Sequence, residues 1–175
     1  IPSVPVKDYP KRENNFNQKY KELNYLSNSD DIYERYWVNE CINSLCMNSD
    51  IRGKSKYWDE LEEEARVKRV IGEKLGTNMF KYPITLKYYI DMIWECGSLV
   101  GAGRGSSCAA LNHYLLGITQ LDPIEWNLPF FRYMNDERVE LGDIDIDICP
   151  SKKGTIVRKI KEERGNRFNS DIDEL

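Results

Sequence analysis

The sequence predicts an α+β protein in which a helical segment leads into a smaller unit of short strands, a glycine-rich turn and flanking helices. Three observations predict it. Apolar side chains recur at helical spacing between Tyr33 and Ile93. The texture changes at Ser98, where a short strand-like run meets the turn Gly101-Ala102-Gly103-Arg104-Gly105-Ser106. Asp143 to Ile148 then alternates acid and isoleucine, the period of a strand and not of a helix.

A chain of 175 residues suits one domain. Its 25 basic and 29 acidic side chains leave a formal charge of −4, which excludes a wholly cationic nucleic-acid coat but allows a local basic patch. No apolar run approaches the ~18 residues of a membrane span, so no membrane partner is expected. The chain begins at Ile1 without a basic-then-apolar leader and reads as a soluble piece of a longer polypeptide. The five cysteines (Cys41, Cys46, Cys96, Cys108 and Cys149) are irregularly spaced, include no CxxC pair and are joined by a single histidine, His113. They read as reduced, buried, structural thiols and not as a zinc site.

The elements follow in order. Residues 1–30 are polar, with Pro2, Pro5 and Pro10 discouraging regular structure, and read as a linker with some helix between Lys11 and Asn28. Ser29 or Asp30 can cap a helix in which Tyr33, Trp37, Cys41 and Leu45 recur every four residues, widened by Val38 and Ile42. A second helix runs from about Tyr57 to Leu75, with Trp58, Leu61, Ala65, Ile71 and Leu75 on one face and Gly76 as its stop. A third starts near Pro83 and ends at Gly97, with Leu86, Tyr89, Ile90 and Ile93 inward. Ser98 to Gly101 is a short strand, and Ser106 to Leu116 a helix ended by Gly117. Asp122-Pro123 is an N-cap and first-turn pair, and Asn127-Leu128-Pro129 opens a short helix carrying Phe130, Phe131 and Arg132. Lys152 to Arg164 is a basic helical segment.

Chemistry concentrates in two places. In Gly142-Asp143-Ile144-Asp145-Ile146-Asp147-Ile148 a strand places the isoleucines on one face and the aspartates on the other. Carboxylates so close repel one another unless a cation sits among them. A hard divalent ion such as Mg²⁺ takes carboxylate oxygens and leaves positions for water and phosphate, which suits two-metal phosphoryl transfer. A calcium loop of the EF-hand type is excluded, because its sixth and twelfth positions would be Ile148 and Gly154. A solvated acidic edge strand with no ligand is the plain alternative.

The second place is the glycine-rich turn. Gly103-Arg104-Gly105-Ser106 opening a helix lets backbone N–H groups, the Ser106 hydroxyl and the Arg104 guanidinium meet phosphate oxygens. It lacks the Gly-Lys-Ser/Thr of a Walker loop and the glycine spacing of a dinucleotide fingerprint. Such a turn is often purely structural. Beside a divalent-metal face it makes a nucleotidyl-transfer site.

These residues, with Leu115-Gly117-Ile118-Thr119, Leu121-Asp122-Pro123, Tyr133-Met134-Asn135 and Glu137-Arg138-Val139, resemble in order and spacing the palm of the bacterial DNA polymerase III alpha subunit, a C-family replicative DNA polymerase. The resemblance is closest over 98–165 and extends to Pro2–Val6 and Tyr36–Leu45. It implies a palm of the polymerase-beta-like nucleotidyltransferase class, a mixed sheet with flanking helices over 98–165, preceded by the helical part 31–97, by a linker 1–30 following an absent N-terminal domain, and followed by a tail 166–175. It implies that Asp143 and Asp145 are the catalytic ligands of two Mg²⁺ ions, for which Mn²⁺ can substitute, with Asp147 one layer further out. Arg104, Gly105 and Ser106 align with the turn that holds the incoming triphosphate, and Arg132 and Arg138 with two arginines of the family that are candidates for phosphate contact, Arg132 the better one and Arg138 equally readable as a salt bridge within the palm. Seven basic against two acidic residues between Lys152 and Arg167, among them Lys152, Lys153, Arg158 and Lys159, could follow a DNA backbone, or form an ordinary solvated helix.

The implied partners are primer-template DNA, deoxynucleoside triphosphates and other replisome subunits, in the cytoplasm of a bacterial or phage-infected cell. The third catalytic carboxylate of the family comes from a segment beyond this chain. Asp171-Ile172-Asp173 does not replace it, so the chain alone is expected to be inactive. Ala102 and Gly142 stand where the family has proline, which would loosen both backbones. Asn112 and His113 stand where it has apolar residues, and His113 is read as a surface or partly buried side chain, not a general base. Such departures suggest a divergent, mobile-element or phage-encoded member. The other readings are a nucleotidyltransferase of the same class with a smaller substrate, and a degenerate palm that only binds nucleic acid or a partner.

Overall fold

The computed structural model describes residues 1, 3–12 and 17–167, and side chains only as far as 165. Pro2 and the Asp171–Asp173 run lie outside the described residues.

Among the described residues six α-helices form: α1 (Lys21–Ser27), α2 (Ile32–Met47), α3 (Ser55–Leu75), α4 (Lys81–Glu95), α5 (Leu111–Leu115) and α6 (Lys153–Arg167). Three short 3-10 turns, Ser106–Ala109, Phe130–Arg132 and Pro150–Lys152, punctuate the second half. The predicted stripe of α2 is the centre of the core. Trp37, Val38, Cys41, Ile42 and Leu45 are all buried, and the Trp37 ring meets Phe80 edge-on with centroids 4.9 Å apart. Each such side chain withdrawn from water contributes ~1.5–3 kcal/mol. The helix is capped by Asp31, one residue beyond the predicted Asp30, whose Oδ1 accepts from the N–H groups of Tyr33 and Glu34. Gly76 (φ 64°) and Gly97 (φ 77°) end α3 and α4 where the sequence places their stops.

The leading segment is held to this bundle. Val4 and Tyr9 are buried, and Arg35 of α2 donates to the Tyr9 carbonyl (2.7 Å), the Ser29 carbonyl (2.6 Å) and Asp8 (2.7 Å). Helix α1 buries Leu23 and Leu26 between α2 and α3. On α3 the inward face holds Tyr57, Leu61, Ala65 and Ile71 as apolar residues, but also Glu64 and Lys68, while Leu75 is exposed. Helix α6 lies on α4, with Ile156 buried and the Tyr88 hydroxyl 3.1 Å from Glu163.

The predicted mixed sheet is overturned. Among the described residues no strand forms, and regular structure is helical. Extended pairing is limited to three isolated antiparallel bridges, Val100 with Ile148, Arg104 with Asp145, and Asn135 with Arg138. The reason lies in the glycine-rich segment. Three residues separate Val100 from Arg104 but only two separate Asp145 from Ile148, so the two runs slip out of register. Gly103 takes φ 136°, and the Ala102 carbonyl accepts instead from the Gln120 N–H at 2.6 Å. A ladder cannot propagate through such a turn, and a lone pair of strands is marginal without a third.

The predicted helix from Ser106 to Leu116 is also broken. Ala110 is extended (φ −92°, ψ 117°) and separates the 3-10 turn from α5. A second apolar cluster lies beneath this region, joining Val67, Ile71 and Met79 to Ala109, Ala110, Phe130, Tyr133 and Met134. Of the acidic segment only Ile144 packs against it, and Ile144, Ile146 and Ile148 all pack against the main core.

Candidate functional site

The turn and the acidic segment meet edge to edge. The Gly101 N–H donates to the Asp147 carbonyl at 2.8 Å, and Arg104 bridges Asp145. Along 143–148 Asp143, Asp145 and Asp147 are exposed, whereas Ile144, Ile146 and Ile148 are half-buried against the core. Three carboxylates therefore share one solvent face without a ladder to hold them. Their repulsion is answered by Arg104, whose Nη1 lies 3.5 Å from Asp145 and whose Nε lies 3.4 Å from Asp147. Asp143 has no ion-pair partner among the described residues. No three His, Cys, Asp or Glu side chains among the described residues come together closely enough to enclose a metal ion.

Local packing fixes both halves. A Cβ on Gly103 would fall 2.7 Å from Cys108 Sγ and 3.3 Å from Thr119 Cβ, so only glycine fits that φ and that space. The Ser107 hydroxyl donates to the Arg104 carbonyl at 3.1 Å and pins the turn from inside. Gly105 and Ser106 remain exposed, and Asp145 Oδ2 is 3.6 Å from where a Gly105 side chain would begin. Gly142 is buried under the Tyr133 ring: a Cβ there would lie 2.4 Å from Tyr133 Cε2, and the Tyr133 hydroxyl faces the Gly142 carbonyl at 3.4 Å. Contact with the ring, and not a proline, holds this backbone. Burial raises the Tyr82 and Tyr133 hydroxyl pKa values, and the Asp143 carboxylate adds to the effect on each.

The 3-10 turn at Ser106–Ala109 packs against that at Phe130–Arg132, which brings Arg132 to the side of the turn, exposed and without an ion-pair partner among the described residues. Arg138 is exposed and paired with Glu140 at 2.5 Å. Lys152, Lys153 and Arg158 are exposed on and before α6, whereas Lys159 is half-buried and faces Glu95 of α4 at 3.9 Å.

The anion-binding ends of helices are not where the sequence suggests. The N–H groups of Leu111 and Asn112, the open end of α5, donate to the two oxygens of Glu64 at 2.7 and 2.9 Å, and Asn112 Nδ2 adds a third bond at 2.5 Å. A carboxylate from α3 thus fills the place a phosphate would take there. Glu64 and Lys68 are both fully buried, and burial raises the pKa of the first and lowers that of the second. Lys68 Nζ has no hydrogen-bond partner among the described residues. Against expectation, His113 is also fully buried, as is Asn112 beside it, and the Cys46 thiol is exposed. Sequence reasoning missed Glu64, Lys68, Tyr82 and Tyr133. The available signal was a Glu–Lys pair four residues apart, on the same face as Leu61, Ala65 and Ile71.

The sequence pattern of the family described as the bacterial DNA polymerase III alpha NTPase domain matches residues 30–172. The chain belongs to that family. It is 32% identical to the probable DNA polymerase YorL of Bacillus subtilis over 95% of its own length and 14% of that protein's. The same figures hold for the DNA-directed DNA polymerase of Bacillus phage SPbeta. A DNA polymerase III subunit alpha of Staphylococcus aureus is 46% identical over 74 residues, 42% of this chain and 7% of that protein. The chain therefore spans about a seventh of the length of the relatives that match nearly all of it. Among the described residues no helix is long and apolar enough to cross a membrane.

Proposed function

We propose that this chain is the part of a DNA-directed DNA polymerase that receives the triphosphate of an incoming deoxynucleotide and holds catalytic metal at its edge. One observation carries the reading: Arg104 and Gly105 lie directly against Asp145, so the glycine-rich turn and the aspartates share one open face. Magnesium keeps several waters and is held by one or two carboxylates together with substrate phosphates, not by a closed protein cage. Two exposed carboxylates, Asp143 and Asp145, beside a phosphate turn fit that requirement. Asp147, already turned to Arg104, supports them from alongside. When bound, the metal would supply Lewis-acid stabilisation of charge on the phosphates.

The chain's own residues do the rest. The Arg104 fork and the exposed Gly105 and Ser106 amides bind phosphate oxygens. Arg132, beside the turn, meets the same charge. The Ile144, Ile146 and Ile148 side chains anchor the aspartates from behind. Catalysis is then positioning and electrostatics, with the primer 3′-hydroxyl attacking in line and pyrophosphate leaving. The exposed Lys152, Lys153 and Arg158 offer a basic track for the phosphate backbone of primer-template DNA, without sequence preference. The third carboxylate is assigned to another part of the whole protein.

Calorimetric titration of Mn²⁺ with a deoxynucleoside triphosphate tests the reading. The chain should bind the nucleotide only when Mn²⁺ is present, and Asp143→Asn/Asp145→Asn should abolish that binding. Binding that survives the double substitution, or that is absent from the folded chain, would refute it.

A further inference from the structure

We propose that His113 is a positioning residue that locks the glycine-rich turn and the acidic segment in register with each other. The inference rests on the reading that these two segments form one site. His113 is fully buried, and its Nδ1 lies 2.9 Å from the Ser107 carbonyl. A carbonyl only accepts, so Nδ1 carries the proton and the ring is the Nδ1–H tautomer. Ser107 in turn donates its hydroxyl to the Arg104 carbonyl. On its other side the imidazole meets the Tyr133 ring edge-on, with centroids 4.9 Å apart and planes at 72°. Tyr133 covers Gly142, the residue before Asp143, and its hydroxyl faces the Gly142 carbonyl. One side chain thus reaches Arg104 through Ser107 and Asp143 through Tyr133.

The surroundings hold the imidazole in this state. Burial, with the ammonium of Lys68 on α3 adding to it, pushes the His113 pKa down to about 3. Among the described residues Nε2 has no hydrogen-bond partner, so none of them favours the other tautomer. An apolar residue of the same volume would fill the space and still lose the bond to Ser107. The role therefore needs both a ring and a donor at one position, which only histidine supplies here. It is separate from acid–base chemistry, since the ring is sealed from the aspartate face.

Two substitutions divide the role. Asn at 113 can place an amide N–H near the Nδ1 position but has no ring for Tyr133. Phe keeps a ring against Tyr133 but has no donor for Ser107. Amide hydrogen exchange of the full chain, read by mass spectrometry, should show His113→Phe speeding exchange mainly over 103–109. His113→Asn should speed it mainly over 142–147. Each change should be on the order of tenfold, the loss of one modest interaction. Both variants should also weaken Mn²⁺-dependent triphosphate binding. On the wild-type chain, nitrogen-15 shifts should report a proton on Nδ1 and no titration between pH 8 and about 4.5. That measurement stands even if a variant fails to fold.

Uniform loosening of the whole chain by both variants, no change in either segment, or an Nε2–H or titrating ring would overturn the proposal. Exchange that splits as expected, in a wild-type chain that binds no nucleotide, would instead refute the reading of the site and leave the positioning role intact.

Discussion

Replacing Glu64 with alanine should be the most damaging single change outside the apolar core. Its two oxygens accept three buried hydrogen bonds from Leu111 and Asn112, at 2.5 to 2.9 Å. Alanine leaves those donors without a partner and leaves Lys68, buried on the same helix face, without its nearest opposite charge. Breaking one side of a buried charged network costs ~3–5 kcal/mol. A chain of this size shifts its Tm by ~2–4 °C per kcal/mol, so the expected drop is ~6–20 °C. Glu64→Gln, which keeps the shape and one acceptor oxygen, should lose less than half as much. Urea unfolding followed by tryptophan fluorescence gives both values. Because the lost bonds hold the start of α5, the variant should also lose triphosphate binding before it loses helix content. A Glu64→Ala chain within ~1 kcal/mol of wild type would refute the argument, since three unpaired buried donors could not be so cheap.

Arg104→Ala should separate the metal from the phosphate. Its ion pairs with Asp145 and Asp147 are exposed and screened, so Tm should stay within ~2 °C. Affinity for Mn²⁺ alone should not fall, while affinity for Mn²⁺ with a deoxynucleoside triphosphate should fall about tenfold by calorimetry; equal losses would refute the assignment. Stability should also depend on His113 in mildly acidic solution. Its ring resists protonation in the folded state down to about pH 3, against an ordinary 6.5, so the unfolded chain takes up a proton first as pH falls. The contribution is complete above pH 6.5 and is lost as pH falls through that window, ~2 kcal/mol between pH 7 and 5. His113→Asn should lack that slope. The difference between the two chains isolates it from Glu64 and Lys68, which face the same region and titrate in both. A pH-independent difference would refute it.

What the sequence made legible was local. The stripe on α2, the glycine stops after α3 and α4, and the outward aspartates over inward isoleucines each follow from periods and backbone preferences that act within a few residues. The sheet was misread for a related reason. Alternation at 143–148 shows which way side chains point, and that much is seen. It does not show whether a partner run stays in register, and Gly103 with the Ala102–Gln120 bond decides that it does not. The break at Ala110 was hidden because it depends on Glu64, 47 residues earlier than Leu111. Burial of His113 was hidden for the same reason: polar residues are read as exposed until their distant partners are known. The turn and the acidic segment were each visible, whereas Tyr133 over Gly142, which helps to hold them together, was not.

The bond from Glu64 to the start of α5 also sets an order of events in folding. A helix of five residues cannot sustain itself in water, where isolated helices need ~12–15 residues even to be marginal. Helix α5 therefore waits for α3 to form and dock, and the 3-10 turn that precedes it waits with it. Contacts of such long sequence separation are made late, after the loop between them has closed. In the opposite direction, releasing that one carboxylate frees α5 and the glycine-rich turn while α2, α3 and α4 keep their own core. The turn and α5 are thus the last part of the chain to assemble and the first to open.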